Sequence, residues 1–524
     1  MTTPHYRMII GGTEIDSDDR YELVNPATED VIASAAKGDA SHVDAAVAEA
    51  KKTFEAGIWR NLPTAERAAV FDRAADLLET RADEMVRLTT MEDGTTVRLA
   101  NVFSVIMPSG NLRYFADELR RYNPDSPGEL VGPPYQAGKV RREPLGVCAA
   151  ITPWNFPVAL GAWKVLPALA MGNSVVLKPD EKTPITSLIL AEILSEAGLP
   201  DGVFNVVTGD GETVGARLSA HPDVRKIAFT GSTEVGKKIV ESSVGNLKRV
   251  TLELGGKGAN VVLEDADIRT AVDGSIWAFL MHSGQACESG TRLLLPSSIH
   301  DEFVERLIER LKTIVIGDPS DPATDIGPLI SAGQRDRVLK YLDIAKQEGA
   351  TIAYGGGVPA GDIFTKGFWV EPTVLTGVTN DMTVAREEVF GPVLAVIRYD
   401  SVDEAIKIAN DSEYGLSAGV WSEDLATAVS VAEQLESGSV WINDWHMINQ
   451  VYPFGGFKQS GQGRELGRDA FSAYTQQKVD PGRRGKEARE PRLRDGALDA
   501  SRQLTTGTSA SRQCDRRTWC TACN

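Results

Sequence analysis

Residues 146–156 read GVCAAITPWNF, a short apolar run that ends in a loop with Trp and Asn. Short apolar strands that alternate with helices are typical of β-α-β units. Five more such runs follow in alternation with helical sequence: NSVVLKP at 173–179, GVFNVVTG at 202–209, KIAFTGS at 226–232, RVTLELGG at 249–256 and ANVVLE at 259–264. The series predicts an α/β fold with a parallel sheet.

The sequence on either side of this series predicts the rest of the fold. Residues 39–120 carry apolar residues at three- and four-residue spacing behind Asp or Thr caps, which indicates amphipathic helices. Residues 125–144 are rich in Pro and Gly and predict a projecting arm. A second alternation of strands and helices predicts another α/β domain, in the segments TRLLLPSS at 291–298, FVERLIERLKTIVIG at 303–317, PVLAVIRYD at 392–400, DEAIKIANDS at 403–412, SAGVWS at 417–422 and GSVWIN at 438–443.

Length and composition limit the classes of protein to which the chain can belong. Its 524 residues exceed the roughly 100–200 residues of one domain, so we expect two or three domains and a cleft. With 42% hydrophobic and 24% charged residues the chain is globular, and its net charge of −18 opposes binding to nucleic acid. It lacks a signal-peptide pattern and an apolar run of about 18 residues, so we expect a soluble, cytoplasmic protein without membrane contact.

The last part of the chain differs from the body. Beyond about Val479 the sequence is rich in Arg, Ser and Thr and has no apolar period, which predicts a disordered tail. This tail holds three of the five cysteines, Cys514, Cys520 and Cys523. No second Cys or His pair accompanies Cys520 and Cys523, so no metal site is predicted.

Polar residues follow the strands of the first series. Ligands bind beyond the carboxyl ends of strands in an open α/β sheet, and Asn155 offers an amide donor there, although it can instead satisfy its own turn. Lys178 and Glu181 end the next strand and can hydrogen-bond the hydroxyls of a ribose, or form a surface ion pair. Gly231 and Ser232 open a helix whose free N–H groups attract a pyrophosphate.

Two further residues carry reactive groups. Glu253 ends an otherwise apolar strand, where burial would raise the pKa of its carboxyl towards the range of a general base. Cys287, in the motif GQAC, is a candidate nucleophile if its thiol is activated, and otherwise an inert buried thiol. Cys148 lies in an apolar run without polar neighbours and is interpreted as structural.

Taken together, seven motifs resemble those of the aldehyde dehydrogenase superfamily, and the resemblance covers about residues 8–479. The motifs are PWNFP at 153–157, KPDE at 178–181, FTGSTEVG at 229–236, LELGGKG at 252–258, GQAC at 284–287, EEVFGPV at 387–393 and PFGGFKQSG at 453–461. The resemblance implies two Rossmann-like parallel-sheet domains and a small β oligomerisation arm. The implied boundaries are an NAD-binding domain at 1–121 and 145–254, a catalytic domain at 255–469, an oligomerisation hairpin at 122–144 and 470–482, and a disordered tail at 483–524.

The resemblance also implies the roles of individual residues. Cys287 matches the nucleophile, Asn155 the oxyanion-hole donor and Glu253 the base that activates water to hydrolyse a thioester. Glu181 favours NAD because its carboxylate repels the additional phosphate of NADP, although Lys178 offsets part of that repulsion. The positions that match cofactor contacts are Ile151, Trp154, Lys178, Glu181, Gly231, Ser232, Glu388 and Phe390.

Substrate and assembly follow from the same resemblance. A mostly apolar and aromatic tunnel favours an aliphatic or aromatic aldehyde, while Glu288 and Asp444 leave an aminoaldehyde or betaine aldehyde open. Glu288, directly after the nucleophile, and the tail depart from the family pattern. A homodimer or homotetramer is expected. The tunnel positions are Phe156, Leu160, Trp163, Ala286, Glu288, Trp445, Ile448 and Phe454.

Two alternatives stay open. A CoA-acylating relative also uses a cysteine and a nicotinamide cofactor, but it has no need of a hydrolytic base at Glu253. A non-catalytic binding protein with the same fold would not need Cys287, Asn155 and Glu253 together.

Overall fold

The computed structural model describes residues 3–127 and 138–481. Two compact units make up this part of the chain. The first contains residues 3–124 and 142–476, and the second contains 125–127, 138–141 and 477–481. The boundary at residue 254 between an NAD-binding and a catalytic domain stays a prediction.

The elements along the chain are β-strands and α-helices with the following bounds. The strands are β1 (His5–Tyr6), β2 (Met8–Ile10), β3 (Thr13–Ile15), β4 (Arg20–Val24), β5 (Val31–Ala36), β6 (Asp125–Pro127), β7 (Gly138–Pro144), β8 (Val147–Ile151), β9 (Ser174–Lys178), β10 (Phe204–Val206), β11 (Val224–Thr230), β12 (Arg249–Glu253), β13 (Ala259–Val262), β14 (Arg292–Pro296), β15 (Thr351–Tyr354), β16 (Thr373–Thr376), β17 (Val393–Tyr399), β18 (Ser417–Trp421), β19 (Ser439–Ile442), β20 (Gly461–Gln462) and β21 (Thr475–Pro481). The helices are α1 (Ala40–Ala56), α2 (Thr64–Thr80), α3 (Ala82–Asp93), α4 (Val97–Asn101), α5 (Met107–Arg121), α6 (Pro157–Ala170), α7 (Ile185–Glu196), α8 (Ala216–Ala220), α9 (Thr233–Ser243), α10 (Ile268–Leu280), α11 (His300–Leu311), α12 (Ala332–Gln347), α13 (Thr383–Arg386), α14 (Val402–Asn410), α15 (Leu425–Ala432) and α16 (Ala470–Ala473).

The first large sheet has eight strands in the order β20-β12-β11-β8-β9-β10-β2-β3. Strands β12, β11, β8, β9 and β10 are parallel, and β20, β2 and β3 add antiparallel edges. All five residues of β8 and of β9 are buried, because helices cover both faces of a parallel sheet. Ile151 lies opposite Lys178, and Thr230 lies opposite Glu253, so these strands end at one edge.

The second large sheet has seven strands in the order β15-β16-β17-β14-β13-β18-β19 and is parallel except for β15. The chain passes from the first sheet to the second through residues 254–258. Here Gly256 lies so close to the backbone of Cys287 that a Cβ would be 2.2 Å from the Cys287 carbonyl oxygen. A glycine is therefore required where the two sheets meet.

The N-terminal segment forms strands that the sequence pattern did not indicate. β1, β5 and β4 make a three-stranded sheet, in which β5 is parallel to β1 and antiparallel to β4. The helices that follow agree with the predicted amphipathic pattern. Asp39 caps α1 by accepting from the N–H groups of Ser41 and His42, and Gly57, whose φ is 75°, caps the other end.

A small three-stranded sheet, in the order β21-β7-β6, forms where the arm is predicted. β6 and β7 are antiparallel, with Asp125 opposite Arg141. Its role in assembly stays a prediction. Residues 128–137 of the predicted arm and the predicted tail with Cys514, Cys520 and Cys523 lie outside the described residues.

Within residues 3–127 and 138–481, no helix has the length and apolar character needed to cross a bilayer. In the same part of the chain, no group of three or more His, Cys, Asp or Glu side chains is arranged to hold a metal ion.

Candidate active site

The strand ends of the first sheet surround a cavity of about 280 Å³. The loop after β8 contributes its motif PWNFP, and Ser232 caps α9 by accepting from the N–H of Val235 at 3.3 Å. Seven of the predicted site residues line this cavity: Trp154, Asn155, Gly231, Ser232, Cys287, Glu388 and Phe390. The structure therefore brings the predicted nucleophile and most of the predicted cofactor contacts together.

The loop that carries Cys287 has an unusual backbone. His282, Ser283 and Gly284 have φ values of 50°, 56° and 74°, so three successive residues are left-handed. Gln285 then holds the loop, because its Oε1 accepts from the N–H of Ile330 at 2.9 Å and its Nε2 donates to the carbonyl of His282 at 3.1 Å. These contacts fix the position of the cysteine two residues later.

The thiol of Cys287 is half-buried and has one hydrogen-bond partner in the described chain. Its Sγ donates to Oε2 of Glu288 at 3.4 Å, and Oε1 of Glu288 contacts Nδ1 of His446 at 3.0 Å. Burial raises the pKa of the Cys287 thiol well above its usual value, and the charges of Glu288 and Glu388 raise it further. Burial acts to raise the pKa of Glu288 too, but the hydrogen bond and charge of His446 hold it below its usual value.

The carboxyl group of Glu253 is buried at the end of β12. Neither of its oxygens has a hydrogen-bond partner among the described residues. Burial raises the pKa of Glu253 well above its usual value, and the nearby charge of Glu465 adds to this. Gly455 leaves room for the carboxyl group, because a Cβ at that position would be 2.7 Å from Oε1. Such a group accepts a proton readily, as a hydrolytic base must.

A buried ion pair lies near Glu253. Lys164 Nζ donates to Oε1 of Glu465 at 2.7 Å and to Oγ1 of Thr230 at 2.5 Å. The sequence pattern did not single out this pair. The sequence held one indication of the pair: Lys164 is the single charged residue of the apolar helix α6. A fully buried lysine needs a partner of opposite charge.

The loop with Glu388 and Phe390 closes the cavity from the second sheet. Glu388 Oε1 accepts from the N–H of Gly256 at 2.9 Å, and burial raises the pKa of Glu388 to about 7. Phe390 has a φ of 60° and meets Trp154 edge-on, with ring centres 5.3 Å apart. Two side chains that the sequence did not indicate support this loop: Gln334 donates to the Phe390 carbonyl at 2.7 Å, and Arg337 donates to the Glu388 carbonyl at 2.8 Å.

Lys178 and Glu181 lie at the end of β9, beside Ile151. Lys178 is buried and its Nζ is 3.6 Å from Oε2 of Glu181, whose side chain is 39% exposed. The donor set fits a dinucleotide: this pair offers hydrogen bonds for ribose hydroxyls, Ser232 opens a helix suited to phosphates, and Glu388 borders the cavity beside Cys287.

An apolar cluster contains the thiol and six of the predicted tunnel residues. They are Phe156, Leu160, Trp163, Ala286, Ile448 and Phe454. The two other predicted positions, Trp445 and Glu288, are not members of this cluster. Trp445 is fully buried and its indole N–H donates to the Glu288 carbonyl at 2.9 Å, while the Glu288 side chain contacts Cys287 and His446. Substrate roles for all eight positions stay predictions.

The family model described as the aldehyde dehydrogenase family matches residues 13–479. The chain belongs to the aldehyde dehydrogenase family. The betaine aldehyde dehydrogenase of Mesorhizobium japonicum is 44% identical over 481 residues, covering 91% of this chain and 96% of that protein. Aldehyde dehydrogenase 1A1 of Mesocricetus auratus is 42% identical over 468 residues, covering 88% of this chain and 91% of that protein.

Solved structures of aldehyde dehydrogenases share the fold. Betaine aldehyde dehydrogenase from Staphylococcus aureus in complex with NAD+ has a TM-score of 0.89 and 36% identity, covering 92% of this chain and 97% of that one. The NAD+ complex of an aldehyde dehydrogenase from Bacillus cereus has a TM-score of 0.88 and 40% identity, covering 91% of this chain and 96% of that one. The predicted family, α/β fold class and enzyme class are confirmed, and NAD, the predicted cofactor, is bound in both relatives.

Proposed function

We propose that this aldehyde dehydrogenase oxidises an uncharged aliphatic or aromatic aldehyde to the carboxylic acid with NAD. The observation that carries the proposal is the apolar cluster of Phe156, Leu160, Trp163 and their neighbours, in which the Cys287 thiol is the reactive group. Apolar walls favour an uncharged chain or ring, because a charged group loses its hydration against them.

The first half of the reaction uses Cys287 and Asn155. The sulfur attacks the aldehyde carbon, and the carbonyl oxygen becomes an oxyanion. Asn155 Nδ2 gives one hydrogen to the Gln285 carbonyl at 2.8 Å, and an amide nitrogen has a second hydrogen for the oxyanion. NAD, when bound, accepts the hydride that leaves the substrate carbon and so allows a thioester to form.

The second half uses Glu253. Its raised pKa and unpartnered oxygens suit it to take a proton from water, which then hydrolyses the thioester. A CoA-acylating enzyme has no use for this group. Glu181 supports NAD over NADP, because its partly exposed carboxylate can accept from a free hydroxyl and repels a phosphate.

A second candidate substrate is betaine aldehyde or an aminoaldehyde. Relatives 44% and 43% identical to this chain carry the name betaine aldehyde dehydrogenase. The rings of Trp163 and Phe454, with centres 5.3 Å apart, lie in the apolar cluster and can face a quaternary ammonium group.

A panel of aldehydes with NADH absorbance as the readout separates the two candidates. We expect hexanal and benzaldehyde to have kcat/KM values about tenfold or more above that of betaine aldehyde, a difference of about 1.4 kcal/mol. The reverse order would favour the second candidate. The same panel with NADP tests the cofactor preference, product analysis with and without CoA identifies the acyl acceptor, and no NADH with any aldehyde would favour a binding protein.

We also infer an assembly of two or four identical chains in the cytoplasm. The arm sheet of β6, β7 and β21 supports the assembly by analogy with the family. Light scattering on the purified protein gives the number of chains, and cell fractionation gives the location.

A further inference from the structure

The group in hydrogen-bond contact with the Cys287 thiol is its sequence neighbour Glu288. The distance from Sγ to Oε2 is 3.4 Å, within the range for a sulfur donor. The backbone of Glu288 is fixed, because its carbonyl accepts from Ser417 Oγ at 2.8 Å and from the Trp445 indole at 2.9 Å. The second carboxylate oxygen contacts His446 Nδ1 at 3.0 Å. Thiol, carboxylate and imidazole are therefore joined by continuous contacts, and the carboxylate and imidazole are buried.

Other acids near the thiol do not make this contact. Glu388 directs Oε1 to the N–H of Gly256, and Glu253 has no hydrogen-bond partner within the described residues. The charged groups that act on the thiol are Glu288, Glu388 and Glu253, and His446 contacts the other carboxylate oxygen of Glu288. Glu288 is thus the carboxylate placed to receive the proton directly.

We propose that Glu288 accepts the proton of the Cys287 thiol as the sulfur attacks the aldehyde, and that His446 is the positioning residue that holds the carboxylate. The proposal rests on the proposed function of Cys287 as the nucleophile. In this step the S–H bond breaks and an S–C bond forms. The proton moves to Oε2 of Glu288, and the π electrons of the carbonyl move to its oxygen.

This arrangement resolves a conflict in the site. Burial and the neighbouring acids disfavour a free thiolate. If the thiol had to ionise first, the sulfur would therefore attack slowly at neutral pH. Transfer of the proton during the attack avoids a free thiolate beside three acids. His446 keeps Glu288 ionised at neutral pH, because its contact lowers the pKa of that carboxyl. The carboxylate is therefore a weak base, which takes the proton only as the S–C bond forms.

The test measures how pH controls two reactions of the Cys287 sulfur in the full-length enzyme. One is alkylation by iodoacetamide without aldehyde, followed by mass spectrometry of the peptide. The other is the first turnover of NADH with saturating aldehyde and NAD. In the wild-type enzyme both rates should be level between about pH 6 and 8.5, because Glu288 is ionised throughout.

Glu288→Gln should lower both rates about 10²-fold at pH 7 and make them rise about tenfold per pH unit, because the sulfur must then lose its proton to solvent. Glu288→Asp keeps a carboxylate and should restore a level profile at a reduced rate. Glu196→Gln, at an exposed acid at the end of α7, is the control, and its alkylation and first-turnover profiles should stay level.

The role of His446 is tested by the acid side of each pH profile, the range in which the rate falls as Glu288 becomes protonated. His446→Asn keeps an N–H near the position of Nδ1 but loses the charge of the imidazole, so its acid side should lie between those of the wild-type enzyme and His446→Leu. His446→Leu removes the contact, so the fall in rate on acidification should begin at a higher pH. Binding of NAD, followed by protein fluorescence, shows whether each variant folds.

A level profile in Glu288→Gln, with rates within threefold of wild type, would overturn the proposal. Faster alkylation of that variant at pH 7 would also overturn it, because Glu288 would then only oppose the thiolate by its charge. If Glu288→Gln does not fold, a level profile at a reduced rate in Glu288→Asp together with a shifted acid side in His446→Leu supports the proposal. In that case an unshifted acid side in His446→Leu contradicts it. Failure of the proposed function is a distinct result, in which wild-type enzyme alkylates normally but forms no NADH with any aldehyde.

Discussion

Asn155 Nδ2 lies 2.8 Å from the backbone carbonyl oxygen of Gln285 and donates a hydrogen bond to it. This bond joins the loop after β8 to the loop that carries Cys287. The residue expected to stabilise the oxyanion therefore also positions the nucleophile. Its side chain is buried, so little water competes for the amide.

Asn155→Ala should lower kcat about 10²–10³-fold, or about 3–4 kcal/mol, the usual effect of losing one oxyanion donor. Steady-state kinetics with a saturating aldehyde provides the measurement, and the affinity for NAD should stay the same. A loss below threefold would mean that Asn155 serves only its loop.

Cys287→Ser should abolish dehydrogenation and spare NAD binding, because a hydroxyl lacks the acidity and nucleophilicity of a thiol. Cys148→Ala is the matched control, since Cys148 lies in the core cluster of the first unit. NADH formation and cofactor titration are compared for both variants. Normal turnover in Cys287→Ser would place the chemistry on another residue.

Glu253→Gln should form the thioester and one equivalent of NADH, and then stall. A burst near one NADH per site, followed by slow turnover, is expected in rapid mixing, and mass spectrometry should find the acyl group on Cys287. In the wild-type enzyme deacylation should rise with pH, because the raised pKa of Glu253 leaves the carboxyl protonated and unable to accept below that value. Steady wild-type turnover in the variant would remove Glu253 as the base.

Glu181→Ala should weaken NAD binding more than NADP binding, because the variant loses both the acceptor for a ribose hydroxyl and the charge that repels the phosphate. The ratio of the two KM values is the measurement. Glu196→Ala, an exposed acid at the end of α7, is the control and should leave the ratio unchanged. A constant ratio in Glu181→Ala as well would show that Glu181 does not contact the ribose.

Gly256→Ala should destroy activity and lower stability, because its Cβ would be 2.2 Å from the Cys287 carbonyl oxygen and one backbone must move. Gly161→Ala is the control, since no heavy atom other than those of the adjoining helix backbone and chain neighbours lies within 4 Å of its Cβ position in α6. That variant should be neutral or gain about 0.5–1 kcal/mol from helix propensity. Thermal unfolding and kcat/KM decide the comparison, and an active Gly256→Ala enzyme would contradict the close approach.

The sequence predicts the central strands well because strands that are buried on both faces consist of apolar residues. Strands β8 and β9 are buried on every residue, so they read as continuous apolar runs. Strands β1, β2 and β3 escape prediction because they have two or three residues, too few to show an alternation.

The same limit applies to the site. The motifs locate Cys287, Asn155 and Glu253, since each follows or ends a recognisable strand or lies in a compact motif. The partners that tune them come from far along the chain: His446 is 158 residues from Glu288, and Glu465 is 301 residues from Lys164. Only the fold brings such pairs together, so no spacing in the sequence indicates them.

The left-handed turn at His282, Ser283 and Gly284 has a consequence for heat tolerance. Left-handed backbone costs roughly 1–2 kcal/mol per residue with a Cβ, and the contacts of Gln285 oppose this cost. Local openings that break a few contacts need less energy than unfolding of buried sheets. On warming, the turn should relax and withdraw the sulfur while the sheets are still intact. Thermal inactivation should therefore precede the loss of secondary structure, and cooling before the sheets melt should restore turnover.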